Sequence, residues 1–278
     1  MPSINTNVAA IKARSNLDRV QRDMDTSIAR LSSGKRITRA HDDAAGSAIA
    51  GRMESQIRGL NMNIRSAKDG QSLVDTQEGA LQEVESILQR IRELAVQAKN
   101  GTATETDRDY MQKEVTALID EIDAIGSNTR FNDVRVLTGA TFSFYTDIDA
   151  AGTSIDTTAS ATTAASIGIT KTTVSIGSGT HLSAGSIKAV IVLVDSALGS
   201  IASFRANLGA ISNRFDHVID NLTNVVANTE GAKSRVEDAD FAVETTQLTR
   251  NTVLQQAATS MVAQANASKN TILALIQG

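Results

Sequence analysis

At both ends of this 278-residue chain the apolar residues recur in alternating steps of three and four, and neither end has a partner helix beside it in sequence. Near the C-terminus the series is Leu254, Ala258, Met261, Ala265, Ser268, Ile272 and Leu275. Near the N-terminus it is Leu17, Val20, Met24, Ser27 and Leu31, preceded in a shifted phase by Ile4, Val8 and Ile11. Such spacing lays the side chains along one stripe of a helix, and another helix must cover that stripe. Termini ordinarily fray. Here they carry the strongest pattern in the chain, so the ends read as its assembling parts.

The rest of the sequence supports long uninterrupted helices. The single proline, Pro2, precedes the first of them. With six Phe, two Tyr and no Trp, the core must be built from Ala, Leu, Ile and Val, which suits close-packed rods. The absence of cysteine removes disulfides, zinc thiolates and thiol nucleophiles together. No basic stretch followed by an apolar run and a cleavage site opens the chain, and no apolar run reads as a membrane span. Residues 1–40 carry eight Lys/Arg against three Asp, a net of +5, which leaves −9 for the remainder of a chain whose total is −4. A basic end on an acidic body favours contacts between copies. Nucleic acid is not expected, because no aromatic residues interleave the basic ones to stack bases.

Along the chain, the first helix is expected from about Thr6 to Ser32, closed by a left-handed Gly34. Asp42 or Asp43 is placed to cap a second helix. Its stripe runs through Ile49, Met53, Ile57, Leu60, Ile64 and Ala67, continues through Val74, Leu81, Leu88, Ile91, Ala95 and Ala98, and stops at Asn100-Gly101. About 50 residues at ~1.5 Å each give a rod of roughly 75 Å. Thr104 with Asp107, or Thr106 with Asp109, offers a capping box to a third helix striped by Met111, Val115, Leu118, Ile122 and Ile125. The β-formers between Thr129 and Tyr145, broken at Asn132-Asp133 and Gly139, predict a hairpin. The Ser/Thr/Ala stretch that follows reads either as an exposed insertion or as a small β subdomain. From Ile187 to Val225 a three-four rhythm predicts another long rod, and a terminal helix follows Val236–Phe241. Two antiparallel rods place the two terminal helices at the same end, where they pair.

Motifs for chemistry are missing. His41, His181 and His217 lie far from one another and from any metal-ligand spacing, and neither a phosphate-binding glycine loop nor G-x-S-x-G occurs. Asp42-Asp43 reads as a helix start. No cofactor, metal or catalytic role is expected.

Five strings of residues, in order along the chain, resemble those of the bacterial flagellins, the subunits of the flagellar filament. They are Ile4-Asn5-Thr6-Asn7; Leu31 to Ile37 with Asp42-Asp43-Ala44-Ala45-Gly46; Leu88 to Gln97 with Asn100-Gly101; Phe131-Asn132 with Val136-Leu137; and Ser234 to Ala242 with Gln255-Gln256-Ala257. They span about residues 1–140 and 187–278. The resemblance implies a mainly α fold of long antiparallel rods, with a terminal two-helix coiled coil, one β-hairpin region and a small irregular or β central insertion. Residues 1–40 with 235–278 would be the inner coiled coil, 41–140 with 187–234 the rod and hairpin, and 141–186 a short surface-exposed insertion.

As function, the resemblance implies a secreted structural subunit polymerising into the extracellular filament used for motility. Its assembly stripe would be Ile4, Val8, Ile11, Leu17, Val20, Met24, Leu31, Leu254, Ala258, Met261, Ala265, Ile272 and Leu275. Implied partners are other copies, an export chaperone at the C-terminus, and filament cap and junction proteins. A flagellin-sensing Toll-like receptor would engage Gln89, Arg90, Leu94 and Glu114. The insertion is short beside flagellins with large outer domains, and His41 departs from the family's loop. Rival readings are a hook–filament junction protein, which makes a limited ring, and a cytoplasmic coiled-coil adaptor.

Overall fold

The computed structural model describes residues 6–147, 152–158, 161–177 and 184–277, with backbone alone at 184 and 269–277. The fold is mainly α. Helices α1 (Val8–Ser33), α2 (Ala44–Ala98) and α3 (Glu105–Asn128) are followed by strands β1 (Arg130–Phe131), β2 (Val134–Arg135), β3 (Thr141–Tyr145) and β4 (Ser154–Thr158). Helices α4 (Ala184–Glu237) and α5 (Phe241–Gln277) complete the chain. It divides into two compact units, residues 1–57 with 227–278 and residues 58–226. Those limits fall further along both rods than the breaks at 40 and 235 that the sequence suggests.

The unit of residues 58–226 is organised by a strict seven-residue repeat. In α2, Leu60, Ala67, Val74, Leu81, Leu88 and Ala95 are all buried, flanked by a second line of Gly70, Gln77, Val84, Ile91 and Ala98. In α4, Val194, Ile201, Leu208, Phe215 and Leu222 repeat at the same interval and are likewise buried. A period of seven keeps a seam facing its partner only if the helices wind gently around each other. Polar pairs along the seam set the direction: Gln71 Nε2 donates to Asp216 at 2.9 Å, Arg205 pairs with Glu78 and Glu85, and Arg92 meets Asp195 at 2.6 Å. As the α2 number rises the α4 number falls, so the helices are antiparallel. Gly70 is required by this closeness, because a Cβ there would lie 2.6 Å from Phe215 Cζ.

The Thr104–Asp107 capping box starts α3 as its sequence predicts. Its apolar face buries Met111, Val115, Ile119 and Ile122. The hairpin β1–β2 turns on Asn132 and Asp133, both with positive φ (48° and 63°), the geometry that a two-residue hairpin turn needs. Strand β3 does not extend this hairpin. It pairs antiparallel with β4 from Thr141↔Thr158 to Tyr145↔Ser154, and Phe144 packs edge-on against Phe215 at 5.7 Å.

The segment 141–186, read from sequence as an exposed insertion or a small β subdomain, is partly packed into this unit in its described residues and partly exposed. Ile155, Ile169, Val174 and Ile176 are buried in the core of this unit. The polar row of α3 holds the segment down. Gln112 accepts from the Ile176 and Gly177 amides and donates to the Val174 carbonyl, Asp123 accepts from Ala164 N at 2.8 Å, and Lys171 meets Asp120 at 2.5 Å. Gly126 lets the Thr162 carbonyl approach so closely that a Cβ would sit 2.6 Å from it. Scattered single isoleucines among Ser and Thr give no helical period, yet Ile155, Ile169 and Ile176 all join the core of the unit.

One further correction concerns α4. It contains an 18-residue window of mean hydropathy 1.8, apolar and long enough by composition to cross a bilayer. Its buried stripe of Ile187, Val190, Val194, Ala197 and Ile201 accounts for much of that value, because these residues form core within the unit.

Candidate assembly surface

In the other unit, α1 and α5 pack side by side. Helix α1 begins at Asn7, whose side chain accepts from Ala10 N at 3.1 Å, and ends at Gly34 with φ 72°, whose N–H reaches the Arg30 carbonyl. The loop that follows is tied to the end of α4. Arg36 N donates to the Glu237 carbonyl at 2.7 Å and its guanidinium to the Val236 carbonyl, while Lys35 pairs with Glu237. The two aspartates separate their tasks. Asp43 caps α2 through Gly46 N at 2.9 Å, whereas Asp42 accepts from Thr38 N, Thr38 Oγ1 and Arg39 N. The Arg39 amide, then the Thr38 hydroxyl, hold the Asp42 carboxyl below its ordinary pKa. A Cβ on Gly46 would press to 2.7 Å from Ile37 Cδ1, which explains the glycine.

Three contacts fix how α1 and α5 lie. Asn7 Nδ2 donates to the Ala265 carbonyl at 3.0 Å, Gln255 Nε2 to Gln21 Oε1 at 2.6 Å, and Arg30 Nη1 meets Glu244 Oε1 at 2.9 Å. The helices are therefore antiparallel. The α1 face is the predicted one: Leu17, Val20, Met24 and Leu31 are half-buried and Ser27 is buried. The α5 face is offset by one residue from the apolar series. Glu244, Leu248, Asn251, Gln255, Ala258, Val262 and Ala265 turn inward at alternating steps of four and three. Ala258 and Ala265 belong to both series. Leu254 and Met261 do not, and are 42% and 62% exposed.

The predicted stripe thus separates into two sets. Leu17, Val20, Met24, Leu31, Ala258 and Ala265 are partly covered within the chain, while Val8 (52%), Ile11 (59%), Leu254 and Met261 face outward. Ile4 lies outside the described residues, as do the side chains of Ile272 and Leu275. Phe241, Val243 and Val253 are also exposed; Val243, Leu254 and Met261 share one side of α5. Among its described side chains only Glu244, which is buried, and Arg250 are ionisable. Its hydroxyls do not need water either. Thr245, Thr246, Thr249, Thr252 and Ser260 each donate to the carbonyl four residues back. Apart from Arg250 and the amides of Gln247, Gln256 and Gln264, this surface can be covered at small desolvation cost.

Sequence reasoning missed Gln21, Arg30, Glu244, Asn251 and Gln255, because a search for apolar periodicity passes over polar residues in a seam. The signal was present as a four-three rhythm of mixed residues one position away.

The predicted receptor residues lie on α2 and α3 in the rod unit. Arg90 Nε meets Glu114 at 2.9 Å and Nη1 meets Glu93 at 3.1 Å, which together raise the guanidinium pKa, Glu114 contributing most. Gln89, Arg90 and Glu114 are exposed, but Leu94 is only 2% exposed. Leu94 belongs to the core, a correction to its placement on a recognition surface. Its heptad neighbours Ile91, Ala95 and Ala98 are all buried, so this turn of α2 is packed inward.

The chain matches two family models, the bacterial flagellin N-terminal helical region over residues 4–141 and the bacterial flagellin C-terminal helical region over residues 191–276. It is 39% identical to a flagellin of Halalkalibacterium halodurans and 38% identical to one of Bacillus subtilis. A flagellar filament core protein of Brachyspira hyodysenteriae is 39% identical; each alignment covers 99% of both chains. Among solved structures it is similar to Bacillus cereus flagellin, at 32% identity, a TM-score of 0.48, and coverage of 59% of this chain and 94% of that one.

Proposed function

Because this chain belongs to the bacterial flagellin family, we propose that α1 and α5 drive its polymerisation through the apolar residues they leave exposed. As a flagellin it is a structural subunit of the bacterial flagellar filament, a helical polymer of copies of itself and an extracellular appendage. The observation that supports the terminal helices as the driver is the outward set Val8, Ile11, Val253, Leu254 and Met261. A neighbouring copy that covers such residues gains about 1.5–3 kcal/mol for each fully buried Leu, Ile, Val or Met. Several per subunit offset the ordering entropy of helices that are marginal alone.

In this reading residues 1–40 and 235–278 form the inner coiled coil lining a channel, 41–140 and 187–234 the surrounding rod, and 141–186 the outer segment. The subunit is secreted through the flagellar type III route. A chaperone at the C-terminus keeps the outward α5 face covered before export, and cap and junction proteins meet the same helices at the filament's ends. A flagellin-sensing Toll-like receptor engages Gln89, Arg90 and Glu114; all three are exposed, and Arg90 and Glu114 form an ion pair. Leu94 contributes by holding that turn in place. The role is structural, with no catalytic step.

Deletion of residues 254–278 tests the driver. The truncated chain keeps the melting transition of the rod unit and forms no filaments by electron microscopy. Filaments of normal length from it would overturn the reading.

A further inference from the structure

Apolar burial alone does not choose which face of α5 meets α1. The inward series offers Leu248, Ala258, Val262 and Ala265, with Glu244, Asn251 and Gln255 between them. The series one residue earlier offers Val243, Leu254, Ala257 and Met261, with Gln247, Arg250 and Gln264 between them. Their apolar content is similar, and the hydrophobic effect is non-directional. Among the described residues of α1 and α5, the three that are buried are all polar: Ser27, Glu244 and Asn251.

We propose that the polar layers Arg30–Glu244 and Gln21–Gln255, with buried Asn251, are the register lock of the α1–α5 pair, and so decide which face of α5 remains for other copies. A slide of one heptad carries Glu244 past the end of α1 at Ser33 in one direction and brings it level with Asp23 in the other. Either way a carboxylate that is 7% exposed loses its cation, and in the second case it meets another carboxylate. Stranding a buried charge costs far more than misplacing a methyl group. The same slide separates Gln21 from Gln255, whose amides meet at 2.6 Å. Rotating α5 by one residue turns Glu244 away from Arg30 and brings Arg250 toward α1.

The Arg30 layer is not optimised for strength. Arg30 Nε is buried without a hydrogen-bond partner. A polar layer that is imperfectly satisfied, yet placed at a seam position, specifies register at the expense of stability.

The inference rests on the reading that these helices assemble the filament, and the test keeps the two apart. The chain has no cysteine, so pairs can be introduced cleanly. Leu17→Cys with Ala258→Cys reports the observed register, and Met24→Cys with Ala258→Cys reports a slide of one heptad. Each pair is placed in the full chain with native layers, in the triple variant Glu244→Leu, Asn251→Leu, Gln255→Leu, and in the charge series. That series is Arg30→Glu, Glu244→Arg and the two together. After mild oxidation under assembly conditions, crosslinking is read in polymer and supernatant separately.

With native layers the 17/258 crosslink exceeds the 24/258 crosslink at least tenfold. The triple variant brings the ratio near one. Arg30→Glu alone lowers it severalfold, and adding Glu244→Arg restores it. A triple variant that keeps the native ratio, or a double charge reversal that fails to restore it, overturns the register lock. Should the triple variant not fold, the charge series decides alone. A chain whose crosslinks follow this pattern but never sediments as polymer instead overturns the assembly reading and leaves the lock standing.

Discussion

The rod unit buries its seam and the terminal unit does not. Along α2 and α4, Val74, Leu88, Ile91, Val194, Ile201 and Phe215 are shut off from solvent, while along α1 and α5 the described apolar seam residues are only partly covered. The two units use the same helix periodicity to different ends. In the rod, a second stripe is supplied by the same chain, together with α3 and the 141–176 segment. In the terminal unit α1 and α5 cover one face of each other, and among the described residues Val8, Ile11, Val253, Leu254 and Met261 stay exposed. Stability that comes from a complete core belongs to the subunit. Stability that waits for a neighbour belongs to the polymer.

The sharpest contrast comes from paired truncations. Leu88→Ala should cost about 2–5 kcal/mol in the melting of the isolated chain, because it opens a cavity in a closed core. Leu254→Ala should leave that melting within about 0.5 kcal/mol, as exposed sites do, and yet raise the concentration needed for polymerisation. Equal destabilisation by the two would erase the distinction. Next in size, Gly70→Ala forces a Cβ against Phe215 and should destabilise the rod unit by about 1–3 kcal/mol, read by chemical denaturation. Gly51→Ala, where nothing lies within 4 Å of the added carbon, should not destabilise at all. Thr104→Ala removes the cap of α3 and should cost about 1 kcal/mol, visible as a lower rod melting temperature.

The smallest effect is that of acid. The Thr104 hydroxyl, then its amide, hold the Asp107 carboxyl below the ordinary range, as the Arg39 amide and Thr38 hydroxyl do for Asp42. A depressed carboxylate contributes fully above its unfolded value near ~3.9, and its contribution fades as pH falls through the lower folded value. Melting temperature should therefore decline below about pH 4, with a shallower decline in Asp107→Asn, which disturbs the rod, than in the parent. An unchanged slope would mean that this cap carries no part of the acid response. Asp107 is exposed, so the effect is modest.

Much of this was legible in the sequence for a physical reason: long helices with a single stripe announce themselves through period. The limits of α1, its Gly34 cap, the Thr104 box and the Asn132-Asp133 turn follow from local rules that the tertiary structure does not override. Two things were hidden. Ile155, Ile169, Val174 and Ile176 lack helical period because they belong to no helix: Ile155 is placed by pairing with β3, and Val174 and Ile176 by Gln112 of α3. The inward face of α5 was hidden by its polarity, since Glu244, Asn251 and Gln255 occupy seam positions that an apolar count assigns to solvent. Leu94 shows the reverse case, a residue implied by resemblance to lie on a surface and held by its heptad in the core.

The central claim is that the outward apolar face of α5 is covered by other copies of this chain. It is tested most directly by the reactivity of a single thiol at Met261→Cys toward a maleimide, in monomer and in filament. The account predicts rapid labelling in the monomer and at least tenfold slower labelling in the filament, while a thiol at the exposed rod position Tyr110→Cys labels at a similar rate in both. A Met261→Cys thiol that reacts as fast in the filament as in the monomer would contradict it.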